Sequence, residues 1–110
     1  MDKPPISREE YVRKVLAAYR HTPGTTGIAR QPDRLLAGQL YQRGVPLTAV
    51  ENALVLAAAR RLLRPASTPP LATVRSLAYF LPVIEEVREL KISEEYFQHV
   101  RRRLQRLHSA

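Results

Sequence analysis

Residues 44–64, GVPLTAVENALVLAAARRLLR, decide how this chain folds. A glycine followed two residues later by a proline marks a tight turn, and one helix follows it. Thr48 is a good N-cap and Glu51 stands three residues on, the spacing at which each side chain can satisfy a backbone N–H that the first helical turn leaves orphaned. From Ala53 to Ala59 the run is unbroken, apolar and made mostly of good helix formers. A helix that is apolar all round must be covered on most sides. The stretch therefore predicts the buried central post of an all-α domain.

The rest of the composition bounds that domain. A chain of 110 residues supports one core and one domain. With 45% hydrophobic residues, few aromatics and no Trp, the core must be mainly Leu, Val and Ala. The absence of Cys excludes disulfides, thiolate catalysis and cysteine metal sites, and it fits a reducing, cytoplasmic compartment. No apolar run approaches the ~20 residues that span a bilayer, so no membrane is expected. The net charge is +8, carried by fifteen Arg and three Lys against ten acidic residues. Such an excess points to a polyanionic partner, nucleic acid ahead of an anionic membrane surface.

Five further elements are predicted, and with the central one they give a compact bundle of five to six helices. The first spans about 7–20, opened by Ser7 with Glu10 and a staple between Ile6 and Tyr11; Tyr11, Val12, Val15, Leu16 and Tyr19 form its core face. Residues 21–31, HTPGTTGIARQ, read as a connecting loop. Their GTTG lacks the lysine of a Walker loop and the preceding strand of a dinucleotide fingerprint. The second helix spans 32–43, with Pro32 at its first turn, Leu35, Leu36, Leu40 and Tyr41 on its buried side, and Gly44 as the left-handed residue after its end. The third is the central helix, 48–63.

This pair has the outline of a helix-turn-helix, in which Asn52 would be the one natural base reader. The second helix is too apolar to lie in a groove, so a structural hairpin is preferred. After a proline-rich break at 65–72, Thr73 caps a helix over 73–81. Pro82 then interrupts, a segment over 82–91 continues, and Ser93 caps the last helix over 93–108 with Tyr96, Phe97, Val100, Leu104 and Leu107 on its apolar face.

Arginines concentrate in two places. Arg60, Arg61 and Arg64 close the central helix, where the helix dipole alone favours cations. Arg101, Arg102, Arg103 and Arg106 crowd the end of the last helix, and four within six residues exceed what the dipole needs. These four are the expected phosphate contacts, with Arg60, Arg61, Arg64 and Arg75 extending the track and Tyr79 as a stacking residue.

The order RGVPLTAVENALVLAA, a loop, then VRSLAYFLPVIEEV resembles the DnaD family of bacterial and phage replication-initiation proteins. That family pairs a Gly-containing turn and an apolar helix with a later helix carrying Tyr-x3-Ile-x3-Trp. Tyr79, Val83 and Val87 occupy that frame here, with Val in place of both Ile and Trp. The resemblance covers about half the chain. It implies DNA binding, single-stranded by preference, beside helicase loading or the replication of a mobile element.

No catalytic pattern competes with this reading. His21, His99 and His108 lie in no metal spacing, the glutamates from 85 to 95 read as solvated surface, and no serine sits in an elbow motif. The expectation is a small basic DNA-binding accessory module, DNA rather than RNA, that is not an enzyme and takes no cofactor, metal or small-molecule substrate. The rival is an interaction subunit of a larger nucleoprotein assembly, its acidic 85–95 surface and basic tail facing different neighbours.

Overall fold

A computed structural model of the chain describes residues 6–65, 67–90 and 94–109. Among them are helices α1 (Arg8–His21), α2 (Gln31–Gln42), α3 (Leu47–Leu62), α4 (Leu81–Leu90) and α5 (Glu94–Ser109), with a 3-10 turn at Leu77–Phe80 and no named strand. The fold is an all-α bundle, and α3 is its centre: it packs against α1, α4, α5 and the 3-10 turn. Val50, Ala53, Leu54, Leu56, Ala57, Ala58 and Ala59 are all buried, on every side of the helix. Small alanines let the neighbouring helices approach closely. Among the described residues, no helix is long and apolar enough to cross a membrane.

The start of α3 differs by one residue from the sequence expectation. Pro46 occupies the cap position, its carbonyl accepting from the N–H groups of Ala49 and Val50 at 3.0 and 3.3 Å, and no side chain caps the helix. The Thr48–Glu51 box is therefore not formed. The cause lies upstream, where α2 ends in a Schellman turn: Gly44, at φ +75°, donates to Tyr41 O, and Val45 donates to Leu40 O. Val45 is buried, and the Tyr11 hydroxyl donates to its carbonyl at 2.8 Å. That bond fixes where the chain turns, so the helix starts at Leu47.

At α1 the Ser7 half of the expected box forms, while the Glu10 carboxylate pairs with Lys14 and Val12, expected inside, is half-buried. Ser7 Oγ accepts from the Glu10 N–H at 3.1 Å, and Tyr11, Val15, Leu16 and Tyr19 face the core. On α2 the buried positions are Asp33, Ala37, Gly38 and Leu40, whereas Leu35, expected inside, is 55% exposed.

The largest correction concerns 73–81. Thr73 caps no helix; residues 71–76 are not helical, and only Leu77–Phe80 winds, as a 3-10 turn. Tertiary hydrogen bonds hold this segment. Val74 N–H donates to Gly24 O at 2.8 Å, and Thr26 N–H donates to Val74 O at 3.0 Å. Arg61 donates to Ala72 O at 2.7 Å. Asp33 then accepts the Leu77 N–H on Oδ1 at 2.9 Å and the Arg30 N–H on Oδ2 at 2.8 Å, so one carboxylate caps α2 and starts the 3-10 turn. Pro82 falls within the first turn of α4. It cannot donate to Ala78 O, and Leu81 N–H takes that carbonyl instead, which keeps the preceding turn 3-10.

α5 buries Phe97 and Val100 but leaves Tyr96 and Leu107 at the surface. Ser93, the expected cap, lies outside the described residues.

Replacing Asp33 with Ala strands the buried Leu77 N–H and removes a cap. The expected loss is about 2–4 kcal/mol of unfolding free energy in urea, with Asp33→Asn losing roughly half of that.

Burial pushes the Tyr11 hydroxyl up to about 12, with Arg88 pulling weakly the other way. The folded value lies above the unfolded one, so the stability it contributes is complete below pH 10 and is lost as pH rises through about 12. In an alkaline titration followed by tyrosinate absorbance, Tyr11→Phe should delete the latest-titrating component and flatten that part of the stability profile.

Candidate nucleic-acid interface

The arginines divide by what they touch. Arg60 makes two bonds to the Glu86 carboxylate, at 2.8 and 2.5 Å, tying α3 to α4. That pairing raises the guanidinium's pKa and holds the Glu86 carboxyl below its ordinary value. Arg61 is a three-way strut. It donates to Ala72 O and to the Tyr79 hydroxyl, and its guanidinium lies 5.6 Å from the Tyr79 ring centroid. It also covers Gly24, where φ is +91° and a side chain would crowd Arg61 Nε. Arg64 donates to Pro69 O at 2.9 Å and pins the proline-rich loop. The cluster at the end of α3 is thus engaged inside the molecule.

Tyr79, half exposed, holds Arg61 on one hydroxyl bond and packs edge-on against Phe80 at 5.1 Å. In the Tyr79, Val83, Val87 frame the first residue stands on the 3-10 turn and the other two on α4, where Val87 is buried.

On α5 the four arginines separate. Arg101 turns inward: its Nη2 donates to Asn52 Oδ1 at 2.7 Å, and its buried Nε has no partner among the described residues. Asn52 is itself buried, so it cannot read a base edge. Arg102, Arg103 and Arg106 are exposed and make no hydrogen bond or ion pair with any described residue; Arg75 is in the same condition.

Two glutamates of the acidic surface expected over 85–95 are neutralised from within. Glu85 receives Arg43 at 2.7 Å and Arg88 at 3.6 Å, and Glu86 receives Arg60. His21 Nδ1 pairs with Ala17 O, and no group of described side chains could hold a metal ion. Beside α5, Leu63, Tyr96, Leu104 and Leu107 line an apolar groove of about 350 Å³ against α3, with His99 and Arg103 on it.

A second basic surface, absent from the expected site, lies between α1 and α2. There Arg8, Arg13, Arg20 and Arg34 surround an open cleft of about 490 Å³ whose apolar lining is Val12, Leu16 and Leu35. None of the four arginines has an acidic partner among the described residues, and Glu9 is the single carboxylate on the cleft. The stripe is visible in the sequence as Arg8, Val12, Leu16 and Arg20 at four-residue spacing. It gains meaning only when α2 brings Arg34 and an exposed Leu35 opposite, and Leu35 had every mark of a core residue.

No family model matches this chain, and no curated protein or solved structure is significantly similar to it.

Proposed function

We propose that the chain is a small DNA-binding accessory module that contacts the phosphate backbone through arginines of α5, without reading sequence. The observation that carries this reading is the state of Arg102, Arg103 and Arg106: exposed, close together at the end of one helix, and without a partner among the described residues, in a chain of net charge +8. Arg102 and Arg106 stand one turn apart, a spacing that lets both guanidinium forks meet one backbone. Arg75 is the one further expected contact that stays exposed without a partner among the described residues. Arg60, Arg61, Arg64 and Arg101 are engaged with Glu86, Ala72 O, Pro69 O and Asn52, and of these partners Asn52 is the buried one, so moving Arg101 onto a phosphate would strand it. A role in replication initiation or mobile-element processing follows from the resemblance of the Gly44 turn, α3 and Tyr79 to DnaD proteins.

A second reading, an interaction subunit of a larger nucleoprotein complex, draws on the apolar groove between α3 and α5. It differs in one respect: a tight protein complex and no DNA affinity of the isolated chain.

Titration onto a short duplex at several salt concentrations separates them. Each phosphate neutralised adds about 0.9 to the slope of log K against log salt, so replacing Arg102, Arg103 and Arg106 together with Ala should lower that slope by about 2 to 3. Arg60→Ala should leave the slope alone and reduce stability. Absence of binding at low salt, or an unchanged slope in the triple variant, sinks the proposal.

A further inference from the structure

The α1–α2 cleft has features that the α5 surface lacks. It is concave, with basic rims and an apolar floor: Leu35 is 55% exposed there, with half-buried Val12 beside it and the buried Leu16 beneath. Its arginines come from two helices, and Arg8 and Arg20 stand about 18 Å apart along α1 at 1.5 Å per residue, with Arg13 and Arg34 between them. The other basic side chains that face carboxylates are already paired: Lys14 with Glu10, Arg43 and Arg88 with Glu85, Arg60 with Glu86. The cleft arginines have no such partners among the described residues.

Gly38 supplies an independent observation. It is buried in the interior of α2, not at a turn, and no positive φ calls for glycine there. Glycine within a helix costs about 1 kcal/mol relative to alanine. At this position a methyl group would overlap the Arg8 guanidinium, which lies directly on the α2 backbone. The glycine leaves room for that head group at one end of the cleft.

We propose that the α1–α2 cleft is a second nucleic-acid site, which takes a single phosphodiester strand. Arginines at both ends and in the middle match an extended polyanion rather than a compact one, and their flat guanidinium groups both pair with phosphates and stack on bases. The leucine and valine floor accepts sugar and base surface, which a single strand exposes and a duplex hides. A duplex keeps its bases stacked inside and offers the floor little such surface. The cleft sits on α1 roughly opposite the face that Ala18 and His21 turn toward α5, so the two basic surfaces are separate. The proposal rests on nucleic acid being the partner but not on α5 being its contact.

The test uses the full chain with a labelled oligothymidylate strand, a blunt duplex and an oligoglutamate peptide, each at several salt concentrations. Arg13→Ala with Arg34→Ala should lower strand affinity about tenfold or more at low salt. The salt slope should fall by about 1.4, from two phosphates at about 0.7 each. Duplex affinity should change less than about twofold. Gly38→Ala should weaken the strand severalfold while its melting temperature stays level or rises, which separates a displaced Arg8 from a damaged fold. The triple variant Arg102→Ala, Arg103→Ala, Arg106→Ala should lose duplex and keep the strand. Unchanged strand binding in the Arg13, Arg34 variant overturns the cleft and leaves the α5 reading standing. Equal losses on strand and duplex, or peptide binding as tight as the strand, also overturn it. If the unaltered chain binds no DNA, both proposals fall together.

Discussion

One buried carboxylate sets the geometry of half this molecule. Asp33 is 3% exposed, yet both of its oxygens are satisfied by main-chain N–H groups, one from the start of its own helix and one from Leu77, forty-four residues later. A charge out of water is tolerable only when hydrogen-bonded in this way. The bond to Leu77 places the 3-10 turn against α2, and with it Leu77 and Phe80, both fully buried. Phe80 then meets the edge of Tyr19 at 6.2 Å, which closes α1 onto the same core. The field of Asp33 also reaches Tyr19, whose hydroxyl is held above its ordinary pKa by burial first and by that negative charge second.

The same bond explains where local sequence signals succeed and fail. The buried body of α3, the Ser7 cap and the Gly44 turn were legible because each rests on residues within a few positions of one another: an apolar run, a hydroxyl three residues from its N–H, a glycine at positive φ. Thr73 carries an equally good local signal. It loses because Gly24, Thr26, Asp33 and Arg61 each hold the backbone around it, and none of those partners is visible from the segment itself. Thr48 loses for a related reason, since the Tyr11 bond to Val45 O sets the turn before it. Tertiary hydrogen bonds override propensity where several act on one short stretch.

The arginines show the same limit in electrostatic form. Sequence gives the excess charge, and nothing in it separates Arg60 from Arg102. The difference is that Glu86 stands within bonding distance of one and no described carboxylate stands near the other. Arginine suits both uses: its planar fork meets a carboxylate, two carbonyls or a phosphate with fixed geometry. A chain built with fifteen of them and three lysines can therefore spend some as internal struts while the rest stay in water. Arg61, on Ala72 O, the Tyr79 hydroxyl and the Tyr79 ring at once, is the clearest strut.

Because the struts neutralise the carboxylates nearest to them, the positive charge that remains is not spread evenly. It collects on the outer side of α5 and along the α1–α2 cleft, with α1 and the apolar α3 between them. At physiological ionic strength, exposed charges further apart than about 8 Å are largely screened from each other. Two such surfaces are electrostatically separate and do not form one diffuse basic field, so the two proposed sites can be altered one at a time. The shapes then decide what each can hold. A convex helix end offers forks to any backbone that passes, whereas a cleft floored by Val12, Leu16 and Leu35 rewards a ligand that also brings apolar surface.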